Sequence, residues 1–361
     1  TGFMDSSLNI DKNGEKGVIL HSRILWFYSN AYLLLKDESL LGYAEHAYRF
    51  LTEKCVDKEY GGVYWSMNAD GTVKDDIKHT YCQAFFVYAL SSYYRASGNK
   101  DALKLAYEVV DLVEKHSTDD VAYLEKLSRD WSTVLANDEL SENGLMADKT
   151  MNTTLHLLEA YTELYRVHKD EKVLERLKFQ TRIFLDKIFY KEDDRLLVFF
   201  DKNLDVIGDI HSYGHDIEAT WLLDRACDVM GDKALSAEVA SMNEKIVANI
   251  KKLAYRDGSL LNERDKTEIN TWRIWWVQAE TVVGFLNLYQ HFGDKEALQK
   301  ALRCWDYIRR HLIHPKYGEW YWSIRADGTP NQQDDLAGFW KCPYHNSRMC
   351  LEIIERSFAI S

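Results

Sequence analysis

The hydrophobic positions of this chain recur in pairs of helical segments joined by short turns. Within each segment, apolar residues repeat every three to four positions, which is the spacing of one helical face. Several turns combine glycine with asparagine or aspartate, as at residues 98–99, 231–232 and 293–294. The pattern predicts eleven helices, at residues 20–36 and 39–54, 78–97 and 101–117, 150–167 and 170–190, 211–230 and 233–252, 272–292 and 295–312, and 343–357.

The two members of each pair differ in character. The first members, such as residues 81–90 and 275–285, are apolar nearly all round, and a helix of that composition is buried on every side. The second members, such as residues 101–108 and 296–303, carry one apolar stripe opposite a charged face, which is typical of an outer layer. We therefore expect an all-α (α/α)6 barrel of six inner and six outer helices. The last inner helix has no partner in the sequence, so the missing outer helix is expected to precede residue 1.

A repeated segment links the first and last parts of the chain. Residues 60–72 and 317–329 share the pattern Tyr-Gly-x-x-Tyr-Trp-Ser-x-x-Ala-Asp-Gly-Thr. Each copy predicts a β-hairpin with an Asp-Gly turn, and each is followed by Lys-x-x-Tyr at the start of an inner helix. The repetition indicates two equivalent modules that could be neighbours in a ring, with short hairpins at one end of the barrel.

Composition favours one closed domain over two. The chain has 361 residues, of which 46% are hydrophobic, and its three prolines all lie at or after Pro315. No linker rich in proline, serine or glycine interrupts it. We therefore expect residues 1–361 to form a single catalytic domain.

Charge and cysteine content narrow the possible partners and location. The formal net charge of −12 argues against nucleic acid and anionic membranes as partners, because proteins that bind phosphates usually present a basic face. No apolar run approaches the ~20 residues needed to span a bilayer, and the first residues do not resemble a signal peptide. The six cysteines lack metal-ligand spacing, which is typical of reduced cysteines. We expect a cytoplasmic protein that is a monomer rather than an oligomer.

Polar residues stand out near the starts of the otherwise apolar inner helices. Their spacings of three and four place each set on one helical face. If the inner helices all run in one direction, these side chains converge at one mouth of the barrel, where positive helix ends favour anionic intermediates. The set comprises Arg23, Asn152, His156, His215, Glu218, Trp221, Trp276, Glu280, His345 and Arg348.

Each of these residues also has a purely structural interpretation. A single buried histidine is more often a hydrogen-bonded core residue than a catalytic one, but three at equivalent helix starts favour a site. Tryptophan in an inner helix belongs to the core by default, Glu218 could orient His215, and Glu280 could be a satisfied buried carboxylate. The other nine histidines, for example His46 and His116, are expected on the surface.

Five ordered segments resemble the cellobiose 2-epimerases, which belong to the N-acylglucosamine 2-epimerase superfamily of (α/α)6 barrels. The resemblance spans essentially the whole chain. Ser347 is a departure, since the family pattern has glycine there, and it puts substrate detail in doubt. The segments are Gly-Val-Ile-Leu-His-Ser-Arg-Ile-Leu-Trp at 17–26, Met-Asn-Thr-Thr-Leu-His-Leu-Leu-Glu-Ala-Tyr at 151–161, Ser-Tyr-Gly-His-Asp-Ile-Glu-Ala-Thr-Trp at 212–221, Trp-Trp-Val-Gln-Ala-Glu at 275–280 and Trp-Lys-Cys-Pro-Tyr-His-Asn at 340–346.

The resemblance implies a role for each matching residue. His215 and His345 would form the acid/base pair, with His156 assisting and Arg23 contacting the sugar. Glu218 and Glu280 would support them. The pocket would be shaped by Tyr81, Asn152, Trp221, Trp276 and Trp340. The implied substrate is a small carbohydrate, a disaccharide whose reducing-end sugar is inverted at C2.

Histidine suits this chemistry because its pKa of ~6.5 allows one ring to act as a base while another acts as an acid. The C1 aldehyde of an open-chain sugar acidifies the C2 proton through an enediolate, so no hydride carrier is needed. The sequence has no GxGxxG and no P-loop, and we expect neither cofactor nor metal. An aldose–ketose isomerase, an N-acylglucosamine 2-epimerase, a glycoside hydrolase using Glu218 with Glu280 and a non-catalytic binding module remain alternatives.

Overall fold

The computed structural model describes residues 3–119, 121–137, 139–140 and 144–358. In this part of the chain, six inner helices form a ring and five outer helices surround it. The inner helices are α1 Val18–Leu35, α3 Thr80–Ser97, α5 Met151–Val167, α7 Tyr213–Met230, α9 Trp275–Phe292 and α11 His345–Phe358. The outer helices are α2 Glu38–Phe50, α4 Lys100–His116, α6 Glu171–Ile183, α8 Lys233–Leu253 and α10 Lys295–Tyr307.

Packing between the helices closes the ring. Each inner helix packs on the next inner helix in chain order, and α11 packs back on α1. Each outer helix packs on the inner helix that precedes it. The predicted (α/α)6 barrel is therefore confirmed, while the helix expected before residue 1 lies outside the described residues.

The predicted boundaries differ from the structure mainly at the starts of inner helices. The helices expected from residues 78, 211 and 272 begin two to three residues later, because short β-strands occupy those positions. Three outer helices instead end in a wider π-helical turn, at Leu51–Cys55, Phe184–Ile188 and Ile308–Leu312. The turns were predicted more accurately, since Gly98, Gly231 and Gly293 end their helices with positive φ.

Short antiparallel strand pairs surround the mouth where the inner helices begin. In five modules, the strand before an inner helix pairs with a strand that follows the next outer helix. These pairs are β3 Lys16–Gly17 with β4 Ser66–Met67, β6 Lys78–His79 with β7 Lys126–Leu127, β8 Lys149–Thr150 with β11 Phe199–Phe200, β12 Ile210–Ser212 with β15 Glu263–Asp265, and β17 Arg273–Ile274 with β18 Ser323–Ile324.

The remaining strands extend these pairs or form small separate hairpins. They are β1 Phe3–Met4 with β2 Ile10–Asp11, β5 Val73–Asp75 beside β4, β9 Phe189–Tyr190 with β10 Arg195–Leu196, β13 Tyr255–Arg256 with β14 Ser259–Leu260, and β16 Glu268–Asn270 beside β15. The two predicted Asp-Gly turns are present, with Gly71 and Gly328 at positive φ. Each repeated hairpin thus contributes one strand, β4 or β18, to a strand pairing that occurs in all five modules.

A basic residue lies two positions before each of five inner helices, and most of these side chains are buried. Lys78 is fully buried, and its Nζ lies 2.9 Å from Oδ2 of Asp57. Asp57 also accepts hydrogen bonds from Arg129. The Lys78–Asp57 pair thus joins the strand before α3 to the start of the hairpin segment that precedes it. The five residues are Lys16, Lys78, Lys149, His211 and Arg273.

The core lies between the two helical layers and continues through the inner ring as one apolar cluster. All six cysteines are free, and five of them are buried in it. No helix in the described ranges is long and apolar enough to cross a membrane.

Replacing Asp57 should be far more destabilising than breaking a surface pair. Asp57→Ala leaves the buried Lys78 charge uncompensated, so we expect the free energy of unfolding to fall by about 3–5 kcal/mol. Glu108→Ala breaks the exposed Lys104–Glu108 pair and should cost less than about 0.5 kcal/mol. Urea denaturation of both variants measures the difference, and equal losses would contradict a supporting role for the buried pair.

Candidate active site

A cavity of about 340 Å³ opens at the mouth where the six inner helices begin. This volume lies within the ~300–1,000 Å³ range of small-molecule sites. Every inner helix contributes at least one side chain to its wall, which confirms that their N-termini share one mouth. The cavity is lined by Arg23, Tyr81, Glu139, Leu140, Asn152, His156, His215, Glu218, Trp275, Trp276, Trp322, Trp340 and His345.

Nine of the eleven residues predicted for the site line this cavity, and two do not. Trp221 and Glu280 are fully buried beneath the wall, where Nε1 of Trp221 donates to Oε2 of Glu280 over 2.9 Å. The structure therefore does not place Trp221 where it could contact a sugar. Glu280 instead bonds to His345, which does line the cavity.

His345 is the first residue of α11, and its ring is anchored to the layer below. Its Nδ1 lies 2.8 Å from Oε1 of Glu280, which leaves Nε2 for the cavity. The same Glu280 oxygen accepts from Nη2 of Arg348 over 2.7 Å. Arg348 also donates to Glu218 and, through its other terminal nitrogen, to Glu159.

His156 is held by the same network from the opposite side. Its Nδ1 lies 2.9 Å from Oε2 of Glu159, one helical turn later in α5. That oxygen also accepts from the Tyr344 hydroxyl over 2.7 Å. Glu159, which the sequence analysis did not select, thus joins His156 to Arg348.

His215 has a different kind of partner. Its Nδ1 lies 2.7 Å from Oγ of Ser212, so Glu218 does not orient His215. The Trp276 ring contacts His215 at a centroid separation of 4.7 Å and His345 at 5.5 Å. Gly214 permits this contact, because a Cβ there would lie 2.6 Å from Cη2 of Trp276.

Arg23 lies between the aromatic side chains of neighbouring elements. Its Nη2 donates to the Tyr81 hydroxyl over 2.9 Å and its Nη1 to the backbone carbonyl of Trp340 over 2.8 Å. The guanidinium also packs 4.3 Å from the centroid of the Phe85 ring. Oδ1 of Asn152 is buried without a hydrogen-bond partner among the described residues, which suits an acceptor for a ligand hydroxyl.

Burial keeps the three histidines neutral. It lowers the pKa of His215 to about 3, and it places the pKa of His345 well below its usual value with help from the Arg348 charge. Burial also lowers the pKa of His156, against the opposing effect of Glu159. Each ring can therefore accept a proton at neutral pH.

Two glutamates of the network, Glu218 and Glu159, differ in charge. Burial and then the neighbouring Glu280 raise the pKa of Glu218 to about 8, so this carboxyl holds a proton at pH 7. Burial also raises the pKa of Glu159, but the Arg348 charge and the hydrogen bond from His156 outweigh it and leave that pKa well below the usual range. One ionised and one protonated carboxyl thus lie within reach of the same guanidinium.

Three of these residues have donor atoms close enough to hold a metal ion. Glu218, Glu280 and His345 each offer one such atom, all within 4.8 Å of one another. Arg348 already donates to both glutamates and supplies positive charge where a cation would lie. The group therefore fits a network centred on arginine better than a metal site.

Sequence reasoning missed four lining residues, Glu139, Leu140, Trp275 and Trp322. A signal for Trp322 existed, because it lies in the repeated hairpin at the position that Trp65 occupies in the first copy. The Trp322 ring packs 4.3 Å from that of Trp275, and Trp65 lies 5.9 Å from Trp340. Both hairpin copies therefore carry a tryptophan toward the mouth.

The expectation that the other nine histidines lie on the surface was wrong for three of them. His21, His79 and His211 are buried. Nδ1 of His21 bonds to the Gly17 carbonyl, and Nε2 of His211 lies 2.7 Å from Asp216. They are close to inner-helix starts but outside the cavity wall, so position near a helix start does not alone identify a site histidine.

Comparisons with known proteins find that this chain is similar to sugar epimerases. A cellobiose 2-epimerase of Ruminococcus albus is 54% identical over 99% of this chain and 92% of its own length. A cellobiose 2-epimerase of Bacteroides fragilis is 46% identical over 94% of this chain and 88% of its own. The crystal structure of a sugar epimerase from a ruminal bacterium matches with a TM-score of 0.96 and 53% identity, covering 98% of this chain and 91% of that one.

The family model that matches describes N-acylglucosamine 2-epimerase, and the match runs over residues 2–347. It includes every residue that lines the cavity. This chain therefore belongs to the N-acylglucosamine 2-epimerase family.

Proposed function

We propose that this chain is a cellobiose 2-epimerase, which inverts C2 of the reducing-end glucose of β-1,4-linked disaccharides and short oligosaccharides to give mannose. The observation that carries the proposal is that His215 and His345 line one cavity and contact the same Trp276 ring. Relatives with that named activity match nearly the whole chain. Cellobiose would give glucosyl-mannose, and lactose would give epilactose.

The reaction requires only proton transfers once the sugar ring has opened. A base removes the C2 proton and leaves a cis-enediolate, in which the former C1 aldehyde carries the charge. Rotation about the C2–C3 bond then presents the other face of C2, and an acid returns a proton there. No electrons leave the substrate, so the chemistry calls for no redox cofactor.

His215 and His345 are the proposed acid/base pair. Both rings are neutral in the free protein, and both have Nδ1 bonded to a protein group. Nε2 is therefore the atom that exchanges protons with the sugar. One ring acts as the neutral base, and the other must take up a second proton from water, on Nε2, before it can reprotonate C2 as the acid. Each turnover interchanges the protonation states of the two rings, which sets the pair for the reverse reaction.

Stabilisation of the enediolate is assigned to Arg23 and His156. The Arg23 guanidinium is a fixed positive charge on the cavity wall. His156 is bonded to ionised Glu159, which supports the imidazolium form when negative charge develops nearby. Preorganised groups of this kind usually contribute more than the proton transfer itself.

Substrate binding is assigned to the aromatic walls and to two polar side chains. Tryptophans such as Trp276 and Trp340 present flat apolar faces to the C–H groups of a neutral sugar ring. Asn152 offers an unpaired acceptor, and protonated Glu218 offers a donor to a sugar oxygen.

Rival activities on this fold fit the site less well. A glycoside hydrolase needs two carboxyls flanking the bond that it cleaves. Glu280, the expected partner of Glu218, instead bonds to Trp221, His345 and Arg348 beneath the wall. An aldose–ketose isomerase uses the same enediolate and differs only in reprotonating C1, so product analysis must accompany every assay.

A cytoplasmic location is part of the proposal. Its support is that the six cysteines are free, as is usual for proteins of reducing compartments.

Replacing either proposed acid/base residue should abolish epimerisation. His215→Asn and His345→Asn remove the exchanging nitrogen, so we expect kcat to fall by at least about 10²–10⁴-fold while cellobiose still binds. NMR of cellobiose incubated in D2O measures this, since the wild-type protein should place deuterium at C2 of the reducing sugar. Unchanged incorporation in either variant would contradict the assignment, and glucose release would indicate a hydrolase.

The rate should fall as pH rises through about 8. The pKa of Glu218 is raised to about 8, so its protonated, donating form is present below that pH and lost above it. Glu218→Gln keeps a donor that does not titrate, and its amide oxygen can still accept from Arg348. We therefore expect the alkaline limb of kcat/KM near pH 8 to disappear in the variant, and an unchanged limb would exclude Glu218 as its origin.

Chelation should leave the activity unchanged. Arg348 occupies the position between Glu218 and Glu280, so no metal is needed to balance these carboxyls. We expect less than a twofold change in kcat after exhaustive dialysis against EDTA. A loss that added Mg²⁺, Mn²⁺ or Zn²⁺ restores would show that the cluster works as a metal site.

A further inference from the structure

The three site histidines have two kinds of partner at Nδ1. His156 and His345 face carboxylates of Glu159 and Glu280, at 2.9 and 2.8 Å. His215 faces the neutral hydroxyl of Ser212, at 2.7 Å. A carboxylate favours the imidazolium form of its histidine, whereas a hydroxyl orients the ring without adding charge.

Ser212 occupies the N-cap position of α7, but its side chain does not cap the helix. An N-cap serine normally accepts a hydrogen bond from one of the first free backbone N–H groups. In the described helices, the other N-cap residues with suitable side chains do so. These are Asp37, Asn99, Thr150, Asp170, Asp232 and Asp294.

The backbone around Ser212 holds the hydroxyl in this position. Ser212 is the last residue of β12 and pairs with Glu263 of β15. Its side chain is buried, with 6% of the residue exposed. The next residue but one is Gly214, whose lack of a side chain admits the Trp276 ring beside His215.

We propose that Ser212 is a positioning residue for the epimerisation: its hydroxyl accepts the Nδ1 proton of His215 and so directs the Nε2 lone pair into the cavity. The inference rests on the proposed function of the site. It adds that the ring is held in one tautomer before substrate arrives, by a group that does not favour its protonation.

The charged and titratable groups around His215 are consistent with this role. They are Glu218 on the same helix, His156 on α5 and His345 on α11, which line the same cavity, and Glu280 on α9. Burial and then His156 lower the pKa of His215, and Glu280 opposes them. A carboxylate in place of Ser212 would add to the opposing effect, so a hydroxyl suits a neutral base.

Kinetics and stability separate a positioning role from a structural one. We expect Ser212→Ala to lower kcat on cellobiose by about 10–100-fold, as removal of an orienting partner from a metal-bound histidine does, with KM changed less than twofold. Its Tm should fall by about 1–3 °C, because the buried Nδ1 of His215 loses its hydrogen-bond partner. Ser212→Thr, which keeps the hydroxyl, should restore most of the activity.

Asn99→Ala is the matched control, since Asn99 caps α4 far from the cavity. It should lower Tm by a similar amount, about 1–3 °C, and leave kcat unchanged. A Ser212→Ala variant that unfolds, or an Asn99→Ala variant that loses as much kcat as Ser212→Ala does, would assign the effect to stability and overturn the proposal. Wild-type kcat in Ser212→Ala would also overturn it.

The tautomer itself can be measured without any assay of activity. The 15N shifts of labelled His215, assigned by comparison with His215→Gln, should show hydrogen on Nδ1 in the free wild-type protein and a mixture of tautomers in Ser212→Ala. Hydrogen on Nε2 in the wild type would refute the proposal. If the protein does not epimerise cellobiose, the proposed function fails, but this measurement still decides the role of Ser212.

Discussion

The site depends on one buried cation, Arg348, that meets glutamates from three other inner helices. It donates to Glu159 of α5, Glu218 of α7 and Glu280 of α9. A buried carboxylate costs several kcal/mol unless it is paired and hydrogen-bonded. The network is therefore satisfied only when all four helices are in register, so closure of the ring and assembly of the site are the same event. Since two of the glutamates hold His156 and His345, the positions of those rings follow from the same constraint.

Features that depend on the local sequence, rather than on this long-range network, were predicted well. Approximate helix bounds and the two layers follow from local periodicity, which each segment carries in itself. Seven of the nine candidates that line the cavity follow from it too, whereas Tyr81 and Trp340 came from the family resemblance. Trp221 was misplaced because it lies about two turns into its helix, ~12 Å below the mouth, and a shared face says nothing about depth. Glu280, expected to support the histidines, does bond to His345, but its depth beneath the wall depends on a helix more than 60 residues away.

The features that the sequence did not predict are defined by partners rather than by residue type. His211 and His215 lie four residues apart at one helix start, yet only His215 reaches the cavity, while His211 bonds to Asp216. Glu159 lies in an otherwise apolar helix, and only its contact with Arg348, 189 residues later in the chain, places it in the network. Such long-range pairs leave no periodic signal. The tryptophan of the repeated hairpin did leave one, because Trp65 and Trp322 occupy the same position of the two copies.

Proton transfer at this site takes place between weak bases, the buried histidines, and a weakly acidic carbon, C2 of the sugar. Burial, Arg23 and Arg348 depress the pKa of His345, which by itself makes the ring a poorer base. The same Arg23 charge and the six helix N-termini favour negative charge in the cavity, and so they lower the pKa of the C2 proton when it leaves as an enediolate. One field thus weakens the base and strengthens the carbon acid, and its two effects on the difference between their pKa values oppose each other. Ionised Glu159, bonded to His156, partly offsets that positive field.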